Sequence, residues 1–81
     1  MQVRVKILAP GKKGINRKIA SAVESAGGKV HDLCISRKMK GMNEISFRMN
    51  VENEGLKQSA IRALGEIPGI ALLEAADLPS A

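Results

Sequence analysis

The sequence predicts an α+β sandwich in which a four-stranded antiparallel sheet carries two helices on one face. Three observations lead to this expectation: four segments with strand-like patterns, two segments with helical apolar spacing, and an order of β-α-β-β-α-β. Two right-handed β-α-β-type halves in this order build one sheet with both helices on the same side. We expect a single domain over residues 1–81, with a core over about 3–75 and a tail over about 76–81.

The first strand and the first helix are separated by a loop rich in glycine and proline. VRVKIL, at residues 3–8, alternates apolar and basic side chains, as a half-buried strand does. APGKKG follows as the loop, and from Ile15 to Ala26 apolar residues recur at helical spacing. Gly27–Gly28 is expected to end this helix, because glycine accepts the backbone conformation of a helix terminus.

The next two strands are expected to form a hairpin. KVHDLCIS, at residues 29–36, predicts the second strand, with a bulge near His31–Asp32 where the alternation is disturbed. RKMKG, at residues 37–41, is the predicted hairpin tip. The third strand is the clearest element, because apolar and polar side chains alternate along it. Its predicted core residues are Ile45, Phe47, Met49 and Val51.

The second helix and the fourth strand complete the order. Asn53 is the predicted N-cap of the helix, and Pro68–Gly69 is expected to end it. IALL, at residues 70–73, begins the last strand, and the final DLPSA is expected to fray. The predicted buried face of the helix consists of Leu56, Ala60, Ile61, Leu64 and Ile67.

This order is that of the ferredoxin-like fold, which many unrelated functions share. The topology is expected to leave strands two and four at the edges of the sheet. Strand two carries little between Lys29 and Ser36 that would prevent pairing with another chain. We therefore expect a two-fold homodimer through strand two or through the helix faces.

Charge and cysteine content constrain the partners and the compartment. The net charge of +5 favours acidic partners without naming one. Cys34 is the single cysteine, so an internal disulfide is impossible and a reducing compartment is expected. The sequence has neither a long apolar run nor a signal-peptide pattern. It therefore predicts a soluble, cytoplasmic domain without a membrane partner.

One segment superficially matches an RNA-binding strand. KGMNEISF, at residues 40–47, begins like the strand with which RRM domains stack RNA bases on aromatic rings. Met42 and Glu44 occupy the positions of those rings, and a carboxylate repels phosphate. Phe47, the only aromatic residue, alternates with the apolar residues of strand three and therefore belongs to the core. Base stacking of the RRM type is not expected.

The loop after the first strand matches a second type of nucleic-acid-binding motif. GKKG, at residues 11–14, fits the GxxG loop with which KH domains clamp phosphates. A helix precedes this loop in KH domains, whereas a strand precedes it here. A basic nucleic-acid-binding module that acts through GKKG and the hairpin lysines is the alternative function.

The sequence lacks the residue patterns that catalysis or metal binding would require. Heavy-metal-associated domains of this topology carry CxxC in the first loop, where this chain has APGKKG. His31 and Cys34 are an odd number of positions apart, so a regular strand would place them on opposite faces. We expect no catalytic residue, no metal and no cofactor.

Three short sequence motifs lie in the connections between predicted strands and helices: GKKGI at 11–15, AGGK at 26–29 and IPGI at 67–70. Over about residues 3–75, the chain thereby resembles an ACT domain, a small regulatory module that binds amino acids in metabolic enzymes and regulators. ACT domains carry an Asp/Asn-x-Pro-Gly turn before an aliphatic residue, a double-glycine step after the first helix, and a Pro-Gly step before the last strand. The resemblance implies a regulatory domain that is not an enzyme, either free-standing or attached to a catalytic domain.

The resemblance also implies a site for a small carboxylate effector, with an amino acid as the expected ligand. Gly14 would let the backbone approach the ligand, and the first helical turn offers N–H groups and partial positive charge. Lys29 is expected across a crevice, at the start of strand two. The predicted ligand-binding residues are Gly11, Lys12, Lys13, Gly14, Ile15, Asn16 and Lys29.

The loop departs from the ACT pattern at three positions. Gly11 replaces the acidic or amide residue of the turn, Lys13 replaces its proline, and Lys29 replaces the asparagine after the double glycine. The ligand is therefore expected to differ from that of the serine-binding members. In the alternative interpretation, Gly11 and Gly14 only permit a tight turn and the lysines face solvent.

Overall fold

The computed structural model describes residues 1–79, with the backbone alone at Lys38, and confirms the predicted order of elements. The strands are β1 (Gln2–Pro10), β2 (Lys29–Met39), β3 (Met42–Asn50) and β4 (Ala71–Leu78), and the helices are α1 (Ile15–Ser25) and α2 (Glu54–Gly65). Within the described residues, neither helix is long and apolar enough to cross a membrane.

Three strands are longer than the sequence predicts. β1 continues through Pro10, and β2 continues to Met39, so the hairpin tip shortens from five residues to Lys40–Gly41. β4 continues to Leu78 and thus includes residues 76–78 of the predicted tail. The last two residues of that tail, Ser80 and Ala81, lie outside the described residues.

The sheet has the expected strand order, β2-β3-β1-β4, with β2 and β4 at its edges. β1 and β3 pair antiparallel along their whole length, from Gln2 opposite Asn50 to Pro10 opposite Met42. Because alternate side chains point to opposite faces, every second residue of these central strands points towards the helices. The other face of the sheet is not covered by a helix, and we call it the open face.

The core lies between the sheet and the helices, as predicted from strand three. Phe47, at 2% exposure, is the largest of its fully enclosed side chains. The predicted helix residues Leu56, Ile61 and Ile67 are half-buried and pack against this core. The buried core consists of Val3, Val5, Ile7, Ala9, Ile15, Ile19, Val23, Ile45, Phe47, Met49, Val51, Ala60 and Leu64.

The end of α1 and the start of α2 follow the predicted signals, whereas α2 ends at Gly65, before the predicted Pro68–Gly69. The Asn53 side chain accepts a hydrogen bond of 2.9 Å from the Leu56 N–H and thus caps α2. Beyond α1, the Gly28 N–H donates to the Val23 carbonyl at 2.9 Å, which is one of the two bonds of a Schellman motif. A Cβ atom on Gly28 would lie 2.9 Å from the Val23 side chain and 3.0 Å from Val51, so the second glycine permits close packing.

A buried lysine joins α2 to the last strand. Among the described residues, Lys57 is the only buried charged side chain, and its Nζ donates to Asp77 at 2.8 Å. Glu54 lies one helical turn away, with its carboxylate 3.6 Å from the same nitrogen. The hydrogen bond to Asp77 raises the pKa of Lys57 above its usual value, although burial acts in the opposite direction. β4 pairs with β1 as far as Leu78 opposite Gln2, so the strand continues into the predicted tail, and the contact with Lys57 joins this part of β4 to α2.

The predicted bulge in β2 is confirmed, and it changes which side chains share a face. The pairing of β2 with β3 shifts register between His31 and Cys34, and Asp32 has a positive φ of 53°. His31 therefore lies opposite Arg48, while Cys34 lies opposite Ser46. Since Ser46 and Arg48 are both on the open face, His31 and Cys34 are too, and the prediction of opposite faces is wrong.

This shared face does not create a metal site. Within residues 1–79, no group of three or more His, Cys, Asp and Glu side chains is placed to hold a metal ion. A histidine and a cysteine supply only two of the ligands that a structural or catalytic site requires.

Candidate ligand site at the loop after β1

Four segments meet at one end of the sheet. They are the loop after β1, the start of α1, the β2–β3 turn and the segment between α2 and β4. The Gly11 N–H donates to the Gly41 carbonyl at 2.9 Å, which joins the loop to the turn. A Cβ atom on Gly69 would lie only 2.9 Å from Pro10 Cγ, so the Pro68–Gly69 step packs directly on the end of β1. Two of the three motifs that resemble those of ACT domains, GKKGI and IPGI, are therefore neighbours in space.

The loop enters α1 through a glycine in the left-handed conformation. Gly14 is the N-cap residue, with a φ of 86°, and no side chain caps the helix. The Ile15 N–H donates to the Lys12 carbonyl at 3.3 Å and is therefore not available to a ligand. The Asn16 and Arg17 N–H groups have no hydrogen-bond partner among the residues that the structure describes. These two groups, at the positive end of the helix dipole, are suited to an anion.

A cavity of about 270 Å³ adjoins this helix start. Its charged lining consists of Lys12, Lys13 and Lys18, and its apolar lining is formed by Pro10, Ile15, Ile67 and Pro68. The cationic side can attract a carboxylate, and the apolar side can contact an aliphatic side chain. This combination is typical of a small-molecule pocket, in which apolar walls surround a few convergent polar groups.

A larger groove of about 710 Å³ lies next to the loop cavity, between α1 and the end of α2. Lys18, Ile67 and Pro68 line both spaces. The groove also contains Glu66, whereas the loop cavity has no carboxylate in its lining. The positive charge is therefore concentrated in the smaller cavity.

Three of the predicted site residues, Lys12, Lys13 and Ile15, line the loop cavity. Gly14 lines the adjoining groove. Gly11 does not line the cavity; it extends the contact of β1 with the hairpin turn. The Asn16 side chain is exposed, so only its backbone N–H can contribute to the site.

The prediction that Lys29 faces the loop across a crevice is wrong. Lys29 lies opposite Asn50 of β3, and Asn50 in turn lies opposite Gln2, at the start of β1. The loop follows Pro10, at the other end of β1, about 26 Å away at the usual rise of a strand. The physical reason is that α1 runs back along the sheet, so β2 begins at the end opposite the loop. Lys29 lines a separate cavity with Met1 and Glu52.

Four residues that line the loop cavity are absent from the predicted site: Pro10, Lys18, Ile67 and Pro68. Lys18 follows Gly14 by four positions, so helical periodicity places it on the same side of α1 as the loop. That spacing was a usable signal. Ile67 and Pro68 were recognised only as part of a helix end, because their contact with the loop depends on the tertiary fold.

Comparisons with models of protein families and with curated protein sequences find no match. Among solved structures, the ACT domain from the GTP pyrophosphokinase of Chlorobium tepidum aligns with a TM-score of 0.73 and 13% identity, covering 93% of this chain and 96% of that one. An unknown protein from Galdieria sulphuraria aligns with a TM-score of 0.68 and 12% identity, covering 99% of this chain and 46% of that one.

At sequence identities of 13% and 12%, these alignments show a similar fold and nothing more. The chain has the ferredoxin-like fold of an ACT domain, as its sequence predicts. It spans nearly the whole of the Chlorobium domain, but less than half of the Galdieria protein.

Proposed function

We propose that this ACT-like domain is a regulatory module that binds a small carboxylate metabolite, an amino acid, in the loop cavity. One observation carries the proposal. The small loop cavity is lined on one side by Lys12, Lys13 and Lys18 and on the other by apolar residues, and it adjoins the free N–H groups at the start of α1. The carboxylate would contact the lysines and these N–H groups. The ligand side chain would pack on Ile67 and Pro68.

The proposed module is a sensor and not a catalyst. Its role is to change the behaviour of a catalytic or regulatory partner when the effector binds, either as a free-standing chain or as part of a larger metabolic enzyme or regulator. We place it in the cytoplasm, in line with its single exposed cysteine and basic composition. The ACT-like fold supports this role by analogy.

A thermal-shift screen with the twenty amino acids and common carboxylate metabolites tests the proposal. A ligand at 100 times its dissociation constant is expected to stabilise the domain by about 2.7 kcal/mol. Lys13→Ala is expected to weaken binding by about 1–3 kcal/mol, the range for a lost charge-assisted hydrogen bond. Gly14→Asp should abolish the stabilisation, because it places a carboxylate beside the bound anion.

The chain offers a matched control for these variants. Lys29→Ala also removes one exposed lysine, but at the opposite end of the sheet, so it should leave ligand binding unchanged. Gly14→Asp should also lower stability without ligand by about 1 kcal/mol, because the φ of 86° at this position is less favourable for aspartate than for glycine, although aspartate tolerates it better than most residues. A ligand that stabilises Gly14→Asp as much as the wild type would contradict the proposed site.

We also propose that the domain forms a two-fold homodimer through β2. This edge strand exposes Ile35 and Met39, at 48% and 57%. The bulge at Asp32 interrupts the first part of the edge, so regular pairing would use Cys34–Met39.

Sedimentation is expected to show a dimer at high micromolar concentration. Ile35→Lys should shift this equilibrium towards monomer, because it removes an apolar contact and adds a positive charge to the paired edge of each copy. Leu73→Lys, a similar change at the other sheet edge, should leave the dimer intact. A wild-type monomer under these conditions, or an Ile35→Lys dimer as tight as wild type, would count against pairing through β2.

Nucleic-acid binding is the alternative proposal, and one observation favours it. The hydrogen bond between Gly11 and Gly41 places the hairpin turn, with exposed Lys40, beside the GKKG loop. A true phosphate binder loses affinity steeply as salt rises, because counterions are released on binding. Titration of generic RNA at low and moderate salt distinguishes the two functions, since failure to bind at low salt would eliminate this alternative.

A further inference from the structure

The open face of the sheet carries a group of basic side chains that the proposed function does not use. Arg4 and Lys6 lie on β1, between core-facing residues, and therefore point away from the helices. In β3, Arg48 lies directly opposite Arg4, and Ser46 lies directly opposite Lys6. Three cationic side chains and one hydroxyl thus project from neighbouring positions of the two central strands.

The bulge in β2 places an acidic side chain at one side of this basic group. Asp32 is the only non-glycine residue of the described part with a positive φ, and its carboxylate forms an ion pair with the Arg48 guanidinium. Arg48 also donates to the Gln2 side chain at 3.2 Å. The same bulge places Cys34 opposite Ser46. Arg48 is therefore held in position at the edge of a defined space.

That space is a cavity of about 540 Å³. Its polar lining consists of Arg4, Lys6, Asp32, Cys34, Ser46 and Arg48. It lies on the face of the sheet opposite α1 and is therefore separate from the loop cavity.

The charges in this lining are not balanced. Asp32 pairs with Arg48, but neither the Arg4 nor the Lys6 side chain has an ion pair or hydrogen bond among the described residues. Glu74 of β4 lies opposite Lys6 and forms no ion pair with it. Like charges directly opposite each other, such as Arg4 and Arg48, repel in a sheet. An anion in the cavity would relieve this repulsion.

We propose that the open-face cavity binds a phosphate monoester. Two unpaired cations match the charge of this group, which is close to −2 at neutral pH. An arginine presents a planar fork of N–H donors that suits phosphate oxygens, and the Ser46 hydroxyl adds a further donor. Phe47, the only aromatic residue of the sequence, also lines the cavity, but it is 2% exposed with its side chain in the core, so it offers no ring on which a nucleic-acid base would stack.

An NMR titration with glycerol phosphate tests this proposal. Saturable shifts at millimolar concentration are expected for the amides of residues 4–6 and 46–48. Lys6→Gln should weaken binding roughly tenfold or more, as expected for a lost charge-assisted contact, while Lys6→Arg should retain it. Asp32→Asn should tighten binding several-fold, because it removes the only carboxylate of the lining and asparagine tolerates the same backbone conformation.

Lys13→Gln is the matched control, since it removes the same charge from the loop cavity and should not change phosphate binding. This control also separates the two sites: phosphate binding that survives Lys13→Gln while amino-acid binding is lost supports both proposals independently. Succinate serves as a dicarboxylate probe and is expected to bind more weakly. Equal binding of succinate, equal weakening by Lys13→Gln, or shifts confined to the loop would overturn the phosphate proposal. Tighter binding of single-stranded RNA at residues 4–6 and 46–48 would also overturn it.

Discussion

Replacing Phe47 by alanine is expected to lower the free energy of unfolding by about 3–5 kcal/mol. Phe47 is 2% exposed and lies opposite Val5, in the middle of the two central strands. Its removal would leave a cavity in a small core that contains no other ring. Since a domain of this size has a total stability of only about 5–15 kcal/mol, the loss would be a large fraction of it.

Urea unfolding followed by far-UV circular dichroism measures this effect, because the chain has no Trp or Tyr to serve as a fluorescent probe. Leu73→Ala is the control, since Leu73 is 51% exposed, lies outside the proposed dimer edge, and its truncation should cost far less. Phe47→Leu should still fold, with a smaller loss of stability, and keeps the test informative if the alanine variant does not fold. Wild-type stability of Phe47→Ala would mean that the assigned register of β3 is wrong by one residue.

Replacing Gly69 by alanine is expected to cost about 2–5 kcal/mol. Its φ of 85° is unfavourable for alanine by about 1–2 kcal/mol. The new Cβ atom would also lie 2.9 Å from Pro10 Cγ, and such overpacking typically costs about 1–3 kcal/mol. Because Pro10 lines the loop cavity, the shift that relieves this clash should also weaken ligand binding.

Gly65→Ala is the matched control for Gly69→Ala. Gly65 ends α2, has no atom near its would-be Cβ, and is not in the left-handed region. Alanine there should be neutral or stabilising by up to about 1 kcal/mol, because it restricts the unfolded chain. Equal stabilities of the two variants would show that the segment before β4 does not pack on Pro10.

The apolar patterns of the sequence were sufficient to predict every element of the fold, but not where the strands end. Pro10 looked like part of a loop, yet it is the last residue of β1. The Gly11 N–H points towards β3, so the Pro10 nitrogen points towards β4. The ladder with β4 extends only to Leu8 opposite Ala71, so the missing N–H of proline costs no sheet hydrogen bond.

Part of the candidate site could be predicted because glycine and charge are local signals. GKKG indicated a turn, a helix start and positive charge within a few residues, and Lys12 and Lys13 do line a cavity there. Lys29 was misplaced because its position depends on the path of α1 along the sheet. The contacts of Ile67 and Pro68 with the loop cavity likewise arise only from tertiary packing.

The bulge in β2 is a second case in which the sequence predicted a feature but not where the neighbouring side chains lie. Its presence was predicted, but its effect on the following residues was not, so His31 and Cys34 were expected on opposite faces of the strand. The pairing of Lys57 with Asp77 was missed for another reason: it joins a helix to a strand twenty residues later, and no periodic pattern indicates such a contact.

The central claim is that an amino acid binds in the loop cavity, and NMR mapping of the ligand found by the thermal-shift screen tests it most directly. At saturation, the largest amide shifts are expected at Lys13, Gly14, Asn16 and Arg17, with smaller shifts at Ile67. The amide of Lys29, at the other end of the sheet, should remain unchanged. Saturation that leaves residues 13–17 unmoved would contradict the claim and would mean that the chain shares only the fold of ACT domains.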